Sequence, residues 1–181
     1  MKTTYIALTV ITLAIIISGL MAWGMMVLQN AIHDAECANL CNSNIQQLVK
    51  GAQLYYEDFG TYPPLRNPDF FTAIYNSGLL RELHCYQCCL RAEKLATDQM
   101  FRDNDPRSTD YECRTLPLPL DTKSSPVLFW WEKKPFHAKG RYVVFGTYKL
   151  GQKKWKGWYL QVERISEAQF AELVKQAGSS D

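Results

Sequence analysis

Between Tyr5 and Leu28 the chain has no charged side chain, and it has no proline before Pro63. The catalytic strings that announce whole enzyme classes are also missing. There is no G-x-S-x-G elbow, no phosphate-binding loop and no dinucleotide-binding glycine pattern. No internal repeat and no low-complexity tract is present, which excludes solenoids and biased linkers. Acids are missing from Lys133–Lys156. Each of these absences frames something that is there.

The uncharged stretch is 24 residues long. Crossing a hydrocarbon core takes about 20 apolar residues at roughly 1.5 Å of rise each, so residues 1–28 read as a transmembrane anchor. A cleaved signal peptide would have an apolar region of about 7–15 residues. Here the run continues past Ala22-Trp23-Gly24 through Met25, Met26, Val27 and Leu28, so the segment is expected to be retained. No cysteine stands where a lipoprotein would be acylated, and Gly19 and Gly24 are wrongly spaced for a GxxxG face. Lys2 precedes the span, while His33, Asp34 and Glu36 follow it. That bias places the N-terminus in the cytoplasm and the rest of the chain outside.

Residues 29–181 suffice for one compact domain. Net charge is +2, and aromatics make up 13% of the chain, enough for a packed core. Cys41, Ile45, Leu48, Ala52, Tyr55 and Phe59 recur at alternating steps of four and three, a stripe on one face of a helix running to about residue 59. Gly60 and Pro63-Pro64 end it. Asn67-Pro68-Asp69 predicts a second helix over 68–78, with Asn67 as cap and Pro68 in the first position. Residues 84–113 are cysteine-rich and irregular, with room for a short helix in Cys89–Phe101, and Leu116–Leu120 is expected to be extended. Pro126–Trp131, Arg141–Tyr148 and Trp155–Arg164 read as strands of an antiparallel sheet over 126–164. Ser166 and Gln169 form a capping box ahead of a last helix, 167–176. The fold class is α+β, with a long N-terminal helix packed on a small antiparallel sheet.

Several strings resemble the type IV pilins and type II secretion pseudopilins. Ile45–Pro64 (IQQLVKGAQLYYEDFGTYPP) is similar to the segment that follows the anchor in that family. Asp69–Cys88 (DFFTAIYNSGLLRELHCYQC) and Phe136–Phe145 (FHAKGRYVVF) look like stretches of pseudopilin-like bacterial proteins. The resemblance implies a half-embedded helix on a small sheet, and a non-enzymatic part of a secretion or pilus-type apparatus. It also implies a bacterial inner membrane with the domain in the periplasm, and pilin-like subunits or secretion machinery as partners. The chain departs from the family at its start. Lys2-Thr3-Thr4-Tyr5 has no glycine, and no acid lies in the span, so the leader-peptidase motif is missing.

The six cysteines are Cys37, Cys41, Cys85, Cys88, Cys89 and Cys113. An even count in an exported domain favours disulfides. Cys37–Cys41 and Cys88–Cys89 would be strained pairs, so the helix cysteines are expected to bridge to the 85–113 region. The alternatives are zinc held by Cys85-x-x-Cys88 beside His84, with Cys37 and Cys41, and free buried thiols. The disulfide reading is preferred, and no residue is assigned to a metal or cofactor.

Lys133, Lys134, Lys139, Arg141, Lys149, Lys153, Lys154 and Lys156 crowd one hairpin, with Trp155 and Trp158 among them. Cations and aromatic platforms suit single-stranded nucleic acid, polysaccharide or anionic lipid headgroups. Lysines on a solvated hairpin also simply discourage edge pairing, and that reading is preferred. His33, His84 and His137 have no nucleophile motif beside them, and Glu57-Asp58 reads as a solvated pair. The chain is therefore expected not to be an enzyme. Two other readings remain: a membrane-tethered module that binds an anionic polymer through 133–158, and a tethered zinc or redox protein.

Overall fold

The computed structural model describes residues 2–64, 66–89, 96–113, 127–135, 137, 140–152 and 155–178. Helix α1 covers Lys2–Phe59, α2 Asp69–Asn76, α3 Asp98–Arg102 and α4 Glu167–Gly178. The strands are β1 Tyr111–Cys113, β2 Val127–Glu132, β3 Arg141–Gln152 and β4 Trp155–Ile165. They form one antiparallel sheet in the order β1-β2-β3-β4. The protein is α+β, as its patterning implies. The chain divides into two compact units, Met1–Glu36 and Cys37–Asp181.

In the first unit the apolar side chains from Val10 to Ile32 have no protein cover. Ile15 is 67% exposed and Trp23 63%. Exposed apolar area is unfavourable in water by about 25 cal/mol per Å². The hydroxyl of Ser18 donates to the Ala14 carbonyl at 2.8 Å, which satisfies it within the helix as hydrocarbon requires. Among the described residues α1 alone is long and apolar enough to cross a membrane, and it fits a single-pass anchor.

In the second unit the helix stripe is buried at Cys41, Ile45, Leu48 and Ala52. It ends there: Tyr55 is half-buried and Phe59 exposed, their rings tilted against each other at 4.4 Å. Gly60, at φ +72°, closes the helix with its N–H on the Tyr56 carbonyl, a conformation open to glycine without a steric penalty. Helix α2 opens at Asp69 with Pro68 in the cap position and no side-chain cap, so Asn67 is not the cap its sequence suggests. Phe70, Phe71, Ile74 and Tyr75 of α2 are buried against the core. The Ser166–Gln169 capping box forms in both directions. The fourth strand, β1, has only three residues and pairs with the end of β2.

Strand β2 carries the feature that decides which residues face α1. The pairing between β2 and β3 shifts between Leu128 and Trp130, leaving Phe129 as the extra residue of a bulge. Phe129 and Trp130 therefore both enter the core shared with α1 and α2, and Leu128 and Trp131 fall on the opposite face. Alternation then carries Glu132 onto the same face as Trp130, directly opposite buried Tyr111. A one-residue change of phase exchanges the faces of everything downstream.

Candidate metal centre

Four buried side chains converge on one point of this core: Cys41, Cys88, Glu132 and His137. Their ligating atoms all lie within 4.8 Å of one another. The two sulfurs are 3.0 Å apart, Cys88 Sγ is 3.7 Å from His137 Nε2, and His137 Nε2 is 3.3 Å from Glu132 Oε1.

Each donor comes from a different piece of chain, and each piece is fastened. Cys41 lies on the buried stripe of α1. Cys88 follows a 3-10 turn over Leu83–Tyr86, and Asn44 of α1 donates its amide to the His84 carbonyl at 2.9 Å. The Cys88 N–H donates to Asp110 Oδ2 at 2.9 Å, and the Asp110 N–H donates in turn to the Tyr86 carbonyl. Glu132 is the last residue of β2, brought inward by the bulge, and its Oε2 accepts the Tyr142 N–H at 2.8 Å. His137 sits in the β2–β3 connection, bridged to Gly140. Gly140 has φ +117°, and a Cβ there would meet the Ile165 carbonyl oxygen at 1.9 Å. Only glycine closes this turn. Arg141 Nη1 donates to the Glu132 carbonyl at 3.0 Å and ties both ends of the connection together.

The electrostatics are those of a compact acid–base cluster. The Cys88 thiol, with His137 and the Cys89 N–H, holds the Cys41 thiol down to about 4 against the effect of burial. Burial opposes protonation of His137, but Cys41 and Glu132 outweigh it and raise the imidazole to about 9. Burial raises the carboxyl of Glu132.

A nucleophilic Cys-His-Glu arrangement is a different geometry. In such a triad the thiol and the carboxylate take opposite ring nitrogens, so that the acid orients the base. Here Cys88 and Glu132 both face Nε2. Nδ1 is buried with no hydrogen-bond partner among the described residues. Glu132 Oε1 is also buried without a hydrogen bond, despite its approach to Nε2. While His137 is protonated the two form a buried ion pair across 3.3 Å, and once that proton leaves, both offer lone pairs to a cation between them.

The other cysteines lie elsewhere. Cys89 is exposed, 3.6 Å from Cys41, and its thiol donates to the Cys37 carbonyl at 3.2 Å. Cys85 turns away from Cys88 and donates to Gln47 Oε1 at 3.1 Å; burial pushes its thiol to about 11. Cys113, buried in β1, is held well above its ordinary value by burial and Glu112. All six are free thiols here, with Cys41 lying beside Cys88 and Cys89. The Cys-x-x-Cys string is not a ligand pair, and His84 is exposed. Spacing along the chain assigns no metal ligand and gives Glu132 no role. Its one available signal was an acid closing an otherwise apolar strand, VLFWWE.

The basic hairpin is engaged where its side chains are described. Lys133 donates to the carbonyls of Pro106 and Thr109 at 2.6 and 2.9 Å. Arg141 pairs with Glu167 and lies 3.9 Å over the Phe170 ring. Lys134 is exposed. Lys139, Lys153 and Lys154 lie outside the described residues, as do the side chains of Lys149, Trp155, Lys156 and Trp158, and as does Leu116–Leu120.

No family model, no curated protein and no solved structure matches this chain.

Proposed function

We propose that this chain is a membrane-anchored, non-enzymatic structural subunit of the pilin or pseudopilin type, serving a secretion or pilus-type apparatus. Its N-terminus lies in the cytoplasm and its Cys37–Asp181 unit lies outside a bacterial inner membrane, among other pilin-like subunits. The observation that carries this reading is helix α1. Its Val10–Leu28 stretch is apolar and exposed, and its Cys41–Ala52 stripe is buried in an α+β unit with an antiparallel sheet. A helix with two such stretches suits a subunit that is held by a bilayer at one end and by its own domain at the other. The internal partners of Lys133 and Arg141 favour this reading over an anionic-polymer binder.

The test has two parts. A reporter fused after Asp181 should be active only outside the cytoplasm, and Ile15→Asp should weaken insertion by about 2.5–3.5 kcal/mol on the translocon scale. A photo-crosslinker at Trp23 should capture further copies or other pilin-like subunits in the membrane. A cytoplasmic C-terminus, or crosslinks to lipid alone, overturns the proposal.

A further inference from the structure

We propose that Cys41, Cys88, Glu132 and His137 bind one zinc ion in a closed, four-coordinate structural site that fastens α1, the Cys88 loop and the β2–β3 connection to one another. The inference does not depend on the pilin reading, because it uses only the Cys37–Asp181 unit.

The donor set identifies the metal class. Two thiolates, an imidazole and a carboxylate suit a borderline-soft divalent ion without a strong geometric preference, which is zinc. With Zn–S near 2.3 Å and Zn–N or Zn–O near 2.0–2.2 Å, tetrahedral ligand atoms lie roughly 3.3–3.8 Å apart. The separations of 3.7 Å between Cys88 and His137 and 3.3 Å between His137 and Glu132 already match. The sulfurs, at 3.0 Å, part by somewhat under about 1 Å on binding. Both thiols lose their protons, His137 binds as neutral imidazole through Nε2, and Glu132 binds as carboxylate through Oε1.

The surroundings are those of a ligand shell. The Tyr142 N–H takes Glu132 Oε2 and leaves Oε1 aimed at the centre. The Cys89 N–H donates to Cys41 Sγ at 3.4 Å, a backbone donor that supports a thiolate. Partners of this kind orient ligands and tune affinity. All four ligating residues are buried, so no position is left for a substrate and the site is structural. A Cys41–Cys88 disulfide would use the same sulfurs and would leave Glu132 and His137 as a buried ion pair without the Cys41 thiolate beside it.

The full-length chain in detergent micelles is the material for the test. Purified without chelator, it should carry about one zinc per chain, and Cys41 and Cys88 should resist alkylation until the metal is stripped. Cobalt substituted for zinc should show sulfur-to-cobalt charge-transfer absorption at the strength of two thiolates and the intense visible bands of a tetrahedral site. Glu132→Gln, which keeps the side-chain shape, should keep its circular dichroism and weaken zinc binding by about tenfold or more. The cobalt spectrum comes from the unaltered chain, so a variant that fails to fold leaves the test intact. A metal-free chain with a mapped Cys41–Cys88 disulfide overturns the proposal. So does a cobalt complex without sulfur absorption, or zinc that survives Cys41→Ser combined with Cys88→Ser.

Discussion

The two faces of the sheet are built from the same strands and differ in almost every physical respect. The face toward α1 and α2 buries Tyr111, Cys113, Phe129, Trp130, Tyr142, Val144 and Leu160, most of them completely. Its rings interlock, with Phe70 5.0 Å from Trp130 and Phe71 6.0 Å from Tyr111. Among the described residues the opposite face buries the apolar side chains of Leu128, Val143 and Ile165, with Trp131, Phe145, Phe170 and Leu173 partly exposed around them. A closed, ring-packed core excludes water, so it can hold a carboxylate and an imidazole in fixed positions at low effective dielectric. A thin cover of one amphipathic helix cannot, and the charged pair found on that side keeps Arg141 buried but leaves the Glu167 side chain 45% exposed. The polar cluster therefore sits on the face that can keep it dry.

The largest expected effect probes the inner face. Leu48 is fully buried on α1, and Leu48→Ala should destabilise the full chain by about 2–5 kcal/mol, through lost transfer energy and the cavity left behind. Leu40 lies on the same helix but is 56% exposed, so Leu40→Ala should stay within about 0.5 kcal/mol of the parent. Denaturant titration in micelles, followed by tryptophan fluorescence, compares the two. Equal effects would mean that the stripe does not pack as described.

On the outer face the corresponding anchor is Phe170. It lies 5.8 Å from Trp131 and under the guanidinium of Arg141, but it is only partly buried. Phe170→Ala should therefore cost about 1–2 kcal/mol, less than a fully enclosed ring. The same titration measures it. A loss as large as that of Leu48→Ala would erase the distinction between the faces.

The contrast also explains which parts of the molecule the sequence displays. The helix stripe and the capping box at Ser166 depend on local spacing, and both form, although the stripe read as far as Phe59 is buried only to Ala52. Three of the four strands are visible as β-rich runs, whereas Tyr111–Cys113 is too short to carry a period. Glu132 and His137 were not visible as partners. Simple alternation through VLFWWE from buried Phe129 would send Trp131 inward and Glu132 to the outer face, and only the bulge reverses this. Cys85-x-x-Cys88 drew attention to a pair that the 3-10 turn separates, because spacing along the chain does not reveal which way a turn points its side chains. Long-range convergence of α1, the Cys88 loop and β2 is a property of packing, and short strings do not encode it.

The smallest expected effect belongs to the outer face's ion pair. Arg141 Nε and Nη2 donate to the two oxygens of Glu167 at 2.9 and 2.5 Å, a bidentate contact. These hydrogen bonds hold the Glu167 carboxyl below its ordinary value, against a small opposing effect of burial. A carboxyl lowered in the folded state contributes stability above its unfolded pKa, about 4.3, and loses it as pH falls through the folded value. The Glu167 side chain is 45% exposed, so solvent screens most of the attraction. Glu167→Gln should then cost only about 0.2–1 kcal/mol at neutral pH, less in high salt. The difference from the parent should shrink as the pH falls from about 4 through the lowered folded value, below which Glu167 is as uncharged as the glutamine that replaces it. Paired melting curves across this range decide the point. A gap that is independent of pH would show that the contact acts through shape alone, by seating Arg141 over Phe170, and that charge on this face contributes nothing.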